Sequence, residues 1–257
     1  MSRGLGDVYK RQVNLVYTYL PTSADKTYFL PPTLTNGNVH GIIVLNVYNE
    51  RLLRLLAETQ IPKVFLDTSS LVAPDELNGD LLLMESRTSV RRITCHLLEQ
   101  GRTLPGFIGD ISYAQSNRER YEGFCQALAD AGKKVDSSLC LTTPLGIDTY
   151  REEIDTFLSS LSRMPDAFVC ASDYVACILM QLLEKRGLRV PEDVAVSGFD
   201  NNTEDLLAEH LTTVQVFNEE LGARLALQIL YRIKYPNTPH EITYLGTNVL
   251  YRDSTGD

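Results

Sequence analysis

Along this chain, short unbroken apolar runs alternate with stretches whose apolar residues recur every three to four positions. Val13 to Leu20 alternates and is rich in β-branched and aromatic residues, which predicts a strand. Gly41-Ile42-Ile43-Val44-Leu45 is continuously apolar, as a strand covered on both faces must be. Leu52, Leu53, Leu55 and Leu56 then predict a helix. Ile61 to Asp67 reads as the next strand, with Pro62 at its start, where a missing N–H does least harm. Val90, Ile93, Leu97 and Leu98 share a helical face that Gly101 terminates. Phe107 to Asp110 closes another strand. Ser116 and Glu119 have the Ser-x-x-Glu spacing of a capping box, opening a helix with Tyr121, Phe124 and Leu128 inward and Gly132 after it. Further on, Ile154, Phe157, Leu158 and Leu161 mark a helix, and Ala167 to Ala171 a strand. A helix over Asp173 to Arg186 ends at Gly187, and Val194 to Phe199 is a strand. Glu219 to Ile233 is a helix, and Ile242 to Tyr251 reads as one final strand.

Strands alternating with helices predict an α/β fold, a mostly parallel sheet with helices on both faces. Ligands of such sheets bind beyond the carboxyl ends of the strands. The residues there are Asp67, Asp110, the pair Ser172-Asp173 and Asp200-Asn201. Any one aspartate at a strand end has a plain explanation as a turn former or helix cap. Taken jointly they point to a shared polar crevice. Leu81-Leu82-Leu83-Met84 suits either an ordinary core strand or one buried in a subunit interface.

Charge narrows the partners. The 257 residues carry 24 Lys and Arg against 33 Asp and Glu, a formal charge of −9. So acidic a chain is by itself a poor binder of phosphate backbones. No apolar run is long enough for a membrane span, and no intact secretory signal is visible. The five cysteines (Cys95, Cys125, Cys140, Cys170 and Cys177) include no Cys-x-x-Cys pair and have no histidine at metal-ligand spacing. This argues against a disulfide framework or zinc site and fits a reducing cytoplasm. No Gly-x-Gly-x-x-Gly opens a helix, and neither Gly-x-Ser-x-Gly nor a phosphate loop occurs. The four histidines are scattered. An enzyme is not expected, nor a cofactor. Residues 1–12 include SRGLGDVYKRQ, which looks like the translation of a sequencing-library adapter; the competing reading is a basic arm of Arg3, Lys10 and Arg11. Without this stretch the remainder is more acidic still.

Leu182 to Asn201, LLEKRGLRVPEDVAVSGFDN, closely resembles transcription regulators of the lactose-repressor (LacI/GalR) type. Further segments agree in order: Val39 to Ile43, Ile61 to Asp67, His96 to Arg102, Phe107 to Gly109, Arg118 to Phe124, Ala171 to Asp173, Leu211 to Val214, and Tyr251 to Ser254. The resemblance covers nearly everything after Val13. It implies a periplasmic-binding-protein-like core: two doubly wound parallel-sheet subdomains around a ligand cleft, joined by three chain crossings. It divides the chain into an N-subdomain of about 13–110 plus a return segment and a C-subdomain of about 111–210 plus a C-terminal segment. Leu211 to Val214 resembles one of the crossings. Against the family pattern the chain begins at the second strand of the core and lacks the helix-turn-helix head through which such regulators bind operator DNA as homodimers.

The implied effector is a sugar or sugar derivative. Its hydroxyls call for carboxylate acceptors and a planar arginine donor. The ligand-binding residues that the resemblance implies are Arg120, Asp200, Asp67, Ser172 and Asp173. Arg118 lies roughly 200° around the helix from Arg120, so the two cannot share a face. Asp173 reads more readily as a helix N-cap than as a ligand contact. Phe217, Tyr113 and Tyr17 are candidates to stack on a sugar ring. The alternative reading is a periplasmic or lipid-anchored sugar-binding protein of a transporter; Arg189 to Val194 and the five cysteines favour the regulator.

Overall fold

The computed structural model describes residues 13–146, 148–201 and 209–256. The chain opens with a single helical turn, α1 (Pro32–Thr35), and then alternates: β1 (Ile42–Leu45), α2 (Glu50–Glu58), β2 (Lys63–Leu66), β3 (Asp80–Met84) and α3 (Arg87–Glu99). It continues through β4 (Pro105–Ile108), α4 (Gln115–Asp130), β5 (Cys140–Leu141), α5 (Tyr150–Ser160), β6 (Ala167–Cys170), α6 (Asp173–Lys185) and β7 (Ala195–Ser197). It ends with β8 (Thr213–Gln215), α7 (Asn218–Lys234), β9 (Ile242–Leu245) and β10 (Asn248–Leu250).

Two four-stranded sheets result, ordered β1-β2-β3-β9 and β5-β4-β6-β7, both parallel throughout. Antiparallel β8 and β10 form a third, two-stranded ribbon beside them. The backbone passes between the first sheet and the other strands three times: between α3 and β4, between β8 and α7, and between β9 and β10. The first passage precedes β4, earlier than the boundary near 110 that the resemblance implies.

Apolar periodicity explains the packing. Leu53 and Leu56 of α2 meet Val44, Phe65 and Leu81 of the first sheet in one cluster. A second cluster runs between the sheets, joining Val64 and Leu82 to Val90, Ile93 and Leu97 of α3, and these to Phe107, Phe124 and Leu128. Each such side chain contributes about 1.5–3 kcal/mol on burial. The approach of α3 to α4 depends on Gly123, where a Cβ would collide with the carbonyl oxygen of Arg87. At the other end of the first sheet, Arg232 of α7 forks onto Asp80 of β3, Nε to Oδ2 at 3.0 Å and Nη2 to Oδ1 at 2.5 Å, with both side chains buried. Burial alone would raise the Asp80 carboxyl, but bonds from Arg232, Gln228 and the Glu241 N–H outweigh it and hold it below its ordinary value.

The structure corrects several sequence expectations. Val13 to Leu20 forms no strand; Tyr17 and Tyr19 are exposed, and no strand among the described residues takes up the backbone bonds that would make it one. Ile242 to Tyr251 is two strands, because Gly246-Thr247 carries the chain from the first sheet to the ribbon. Leu81 to Met84 lies between β2 and β9, so its apolar character serves the core of its own sheet. Leu211 to Val214 leads into β8, bridged to Ser197 on one side and paired with β10 on the other. The capping box expected at Ser116 is absent: α4 starts at Gln115, with Ala114 at its N-cap position, and Ser116 is already helical. The opening dozen residues lie outside the described residues.

Candidate functional site

Strand ends of the two sheets converge on α4, where Ser116 bonds Asp67 beyond β2 and Arg120 stands 3.6 Å from Asp200 beyond β7; the space these residues border is the candidate site. Four non-glycine residues at those ends have positive φ: Asn46 after β1 (55°), Asp67 after β2 (60°), and Asp200 (113°) and Asn201 (51°) beyond β7. Such backbone is strained for a side-chain-bearing residue, and strain of this kind concentrates at binding sites.

Arg120 occupies the second turn of α4 and is buried. Its guanidinium carbon lies 3.7 Å from the centroid of Phe199, a cation–π stack that fixes the plane of the fork. Nη1 donates to the Ala171 carbonyl, and Nη2 stands 3.6 Å from Asp200 Oδ1. Nε is buried with no partner. The Asp200 side chain is 44% exposed against 5% for Arg120, so the carboxylate is the accessible member of the pair. Surrounding protein nevertheless desolvates it, which raises its pKa despite the opposing charge of Arg120.

Asp67 borders the same space from the first sheet, and its oxygens are engaged within the protein. Oδ2 accepts from Ser116 Oγ at 2.6 Å, and Oδ1 accepts from the N–H groups of Thr68 at 2.8 Å and Ser116 at 3.3 Å. Burial raises the Asp67 carboxyl, and these bonds together with the charge of Arg120 oppose the rise. The first-turn N–H of Ser116 in α4 is therefore capped from the opposite sheet. Ser70 extends the same seam, donating to the carbonyls of Ile111 and Ser112 and accepting from Arg118 Nη2 at 3.3 Å. Arg118 and Arg120 thus point to different partners, as their helical offset requires.

Tyr48 connects the groups. Its ring lies 4.4 Å from that of Tyr113. Burial pushes its hydroxyl up, as do the charges of Asp67, Tyr113 and Asp200, while Arg120 pulls it down. Asp67, Tyr113, Arg120 and Asp200 thus all lie within electrostatic reach of one phenol. Ser172 and Asp173 have local duties. Ser172 is the N-cap of α6, accepting from the Val175 N–H at 3.3 Å, which corrects the expectation of a cap at Asp173. Asp173 is buried and accepts from Thr213 Oγ1 at 2.6 Å. Of the aromatic candidates, only Tyr113 joins this group. Phe217 lines a separate apolar recess with Met84 and Leu245, and Tyr17 belongs to the exposed opening segment. Tyr48 and Phe199 were not singled out by the sequence, because one tyrosine among 13 and one phenylalanine ending an apolar strand carry no distinguishing spacing. Among the described residues no group of three or more His, Cys, Asp or Glu is arranged to hold a metal ion. Nor is any helix there long and apolar enough to cross a membrane.

Comparison with known proteins agrees with this geometry. The periplasmic binding protein-like domain model matches residues 94–255. The HTH-type transcriptional repressor PurR of Aliivibrio fischeri (strain MJ11) is 29% identical over 225 residues, covering 86% of this chain and 66% of its own length. The HTH-type transcriptional regulator DegA of Bacillus subtilis (strain 168) is 31% identical over 170 residues, 65% of this chain and 48% of the relative. Among solved structures, the transcriptional regulator CelR in complex with cellobiose matches with a TM-score of 0.77 at 27% identity, covering 86% of this chain and 68% of that one. The chain spans about two thirds or less of the curated relatives it matches. It belongs to the periplasmic binding protein-like domain family. Within that family it is an effector-binding core of the LacI regulator type.

Proposed function

We propose that the cleft binds an uncharged, polyhydroxylated effector, a sugar or sugar derivative, with Arg120 and Asp200 as its principal polar contacts. The observation that carries this is the Arg120–Asp200 pair held over Phe199. It sets a planar donor beside an accessible acceptor, the pairing that vicinal hydroxyls match in both directions. The nearby strand ends add the carboxylates of Asp67 and Asp110, so acidic groups outnumber Arg120 and an anionic guest is disfavoured. Asp67 serves chiefly to hold the two sides together, and Ser172 and Asp173 shape the edge. In the full-length protein, acting as a cytoplasmic homodimer with a helix-turn-helix head, effector binding would favour one arrangement of the two lobes. Operator affinity would change by the difference in effector affinity between the arrangements. The chain has no catalytic role in this reading.

A thermal-shift screen of sugars and nucleosides tests it. A neutral sugar should raise the melting temperature of the wild-type protein, and Arg120→Ala and Asp200→Ala should each remove that shift while still unfolding cooperatively. Both variants responding as the wild type does would contradict the assignment.

A further inference from the structure

Two of the three chain passages meet the first sheet around a recess of about 310 Å³. Met84 and Leu245, the last residues of β3 and β9, line it from the sheet. Val216 and Phe217 line it from the passage between β8 and α7, and Gly246 and Thr247 from the one between β9 and β10. None of these residues belongs to the Arg120–Asp200 site. Val216 is buried, and with Leu221 of α7 it belongs to the apolar cluster that spans the sheets; Met84 and Leu245 pack against that cluster. Phe217 keeps 39% of its surface exposed. Thr247 helps to hold the wall, its Oγ1 donating to the Glu85 carbonyl at 2.8 Å and lying 2.8 Å from Ser89 Oγ. An apolar cavity of roughly 150 Å³ already takes a benzene, so a recess twice that size has room for a ring and a short chain.

One charged side chain lines the recess, that of Glu220 in the first turn of α7. It is exposed, and among the described residues no side chain bonds to it. The carboxylate of Glu85, by contrast, is already committed to the N–H groups of Thr88 at 2.6 Å and Ser89 at 3.2 Å. Apolar walls with one uncommitted carboxylate select a guest with an apolar body and a single positive charge. An anion would meet Glu220 and the −9 charge of the chain, which repel it and draw cations. A sugar would leave most of its hydroxyls unpaired against Met84, Phe217 and Leu245, and burying unpaired hydroxyls is costly.

We propose that this recess binds a small amphipathic amine, with its aromatic or aliphatic body against Phe217, Met84 and Leu245 and its ammonium on Glu220. A guest seated there touches the first sheet and two of the chain passages at once, so it gives the molecule a second ligand input beside the cleft. Titration calorimetry tests this with phenethylamine, phenylacetate and ethylamine on the wild type, Glu220→Gln, Phe217→Ala, Gly246→Leu and Asp200→Ala. Phenethylamine should bind the wild type at least about tenfold more tightly than phenylacetate, which has the same ring and the opposite charge, and than ethylamine, which lacks the ring. Glu220→Gln should bring the amine and the acid close together. Phe217→Ala should weaken phenethylamine at least about threefold, the scale of one aromatic contact. A Cβ on Gly246 meets nothing within 4 Å, so the leucine of Gly246→Leu is accommodated and should compete for the space. Asp200→Ala should leave amine binding as it was. Phenylacetate or ethylamine binding as tightly as phenethylamine, no binding of phenethylamine, or binding indifferent to Glu220→Gln would refute the site. So would binding indifferent to both Phe217→Ala and Gly246→Leu, or binding lost in Asp200→Ala, which would move the amine to the cleft.

Discussion

Arg120 was named only through the resemblance to the LacI type, and Asp200 through that resemblance and its place directly after a buried strand. What surrounds them was not legible. The Phe199 ring beneath the guanidinium and the positive φ of Asp200 are products of the fold. A buried charge with no role in the cleft shows the same limit. Lys63 opens β2 and is 2% exposed, its ammonium donating only to the carbonyls of Thr59 at 2.9 Å and Asn78 at 3.2 Å. Burial pulls its pKa from 10.5 down to about 8. Between those values the unfolded chain binds the proton and the folded one does not, so stability rises with pH across that window and is lost as pH falls through 8. Urea midpoints from pH 7.5 to 10.5 should climb for the wild type more steeply than for Lys63→Met. Parallel profiles would show that the lysine titrates normally in the folded protein.

At the level of elements, most strands and helices were readable from period and terminators. Gly101, Gly132 and Gly187 all follow helices with φ between 68° and 92°. The misreadings have a shared cause: local pattern cannot report a distant partner. Val13 to Leu20 has a strand's composition without a neighbour, and the last ten-residue run hides a change of sheet. Ser116 and Glu119 have capping-box spacing, but the serine hydroxyl goes to Asp67, 49 residues away, and Glu119 accepts from Gln115 and from the Tyr244 hydroxyl. This cross-sheet bond predicts energetic coupling. In a double-mutant cycle of Asp67→Asn and Ser116→Ala followed by chemical denaturation, the two should interact by about 1 kcal/mol, within the 0.5–3 kcal/mol typical of contacting residues. Additive effects would return Ser116 to a purely local cap.

For the whole molecule, the resemblance to the LacI type implied the two-sheet architecture in advance. How the two sheets meet had to come from the structure. One apolar cluster spans them, and the Asp67–Ser116 and Ser70 bonds join the two halves. In the proposed cleft a bound molecule would touch both halves, and any change in their angle would alter its contacts. The most direct test is a crystal structure with the sugar that gives the largest thermal shift. The account predicts density for a ring between the two sheets, with hydroxyls in hydrogen-bonding distance of the Asp200 carboxylate and the Arg120 guanidinium. Sugar bound elsewhere, with that pair still closed on itself, would contradict it.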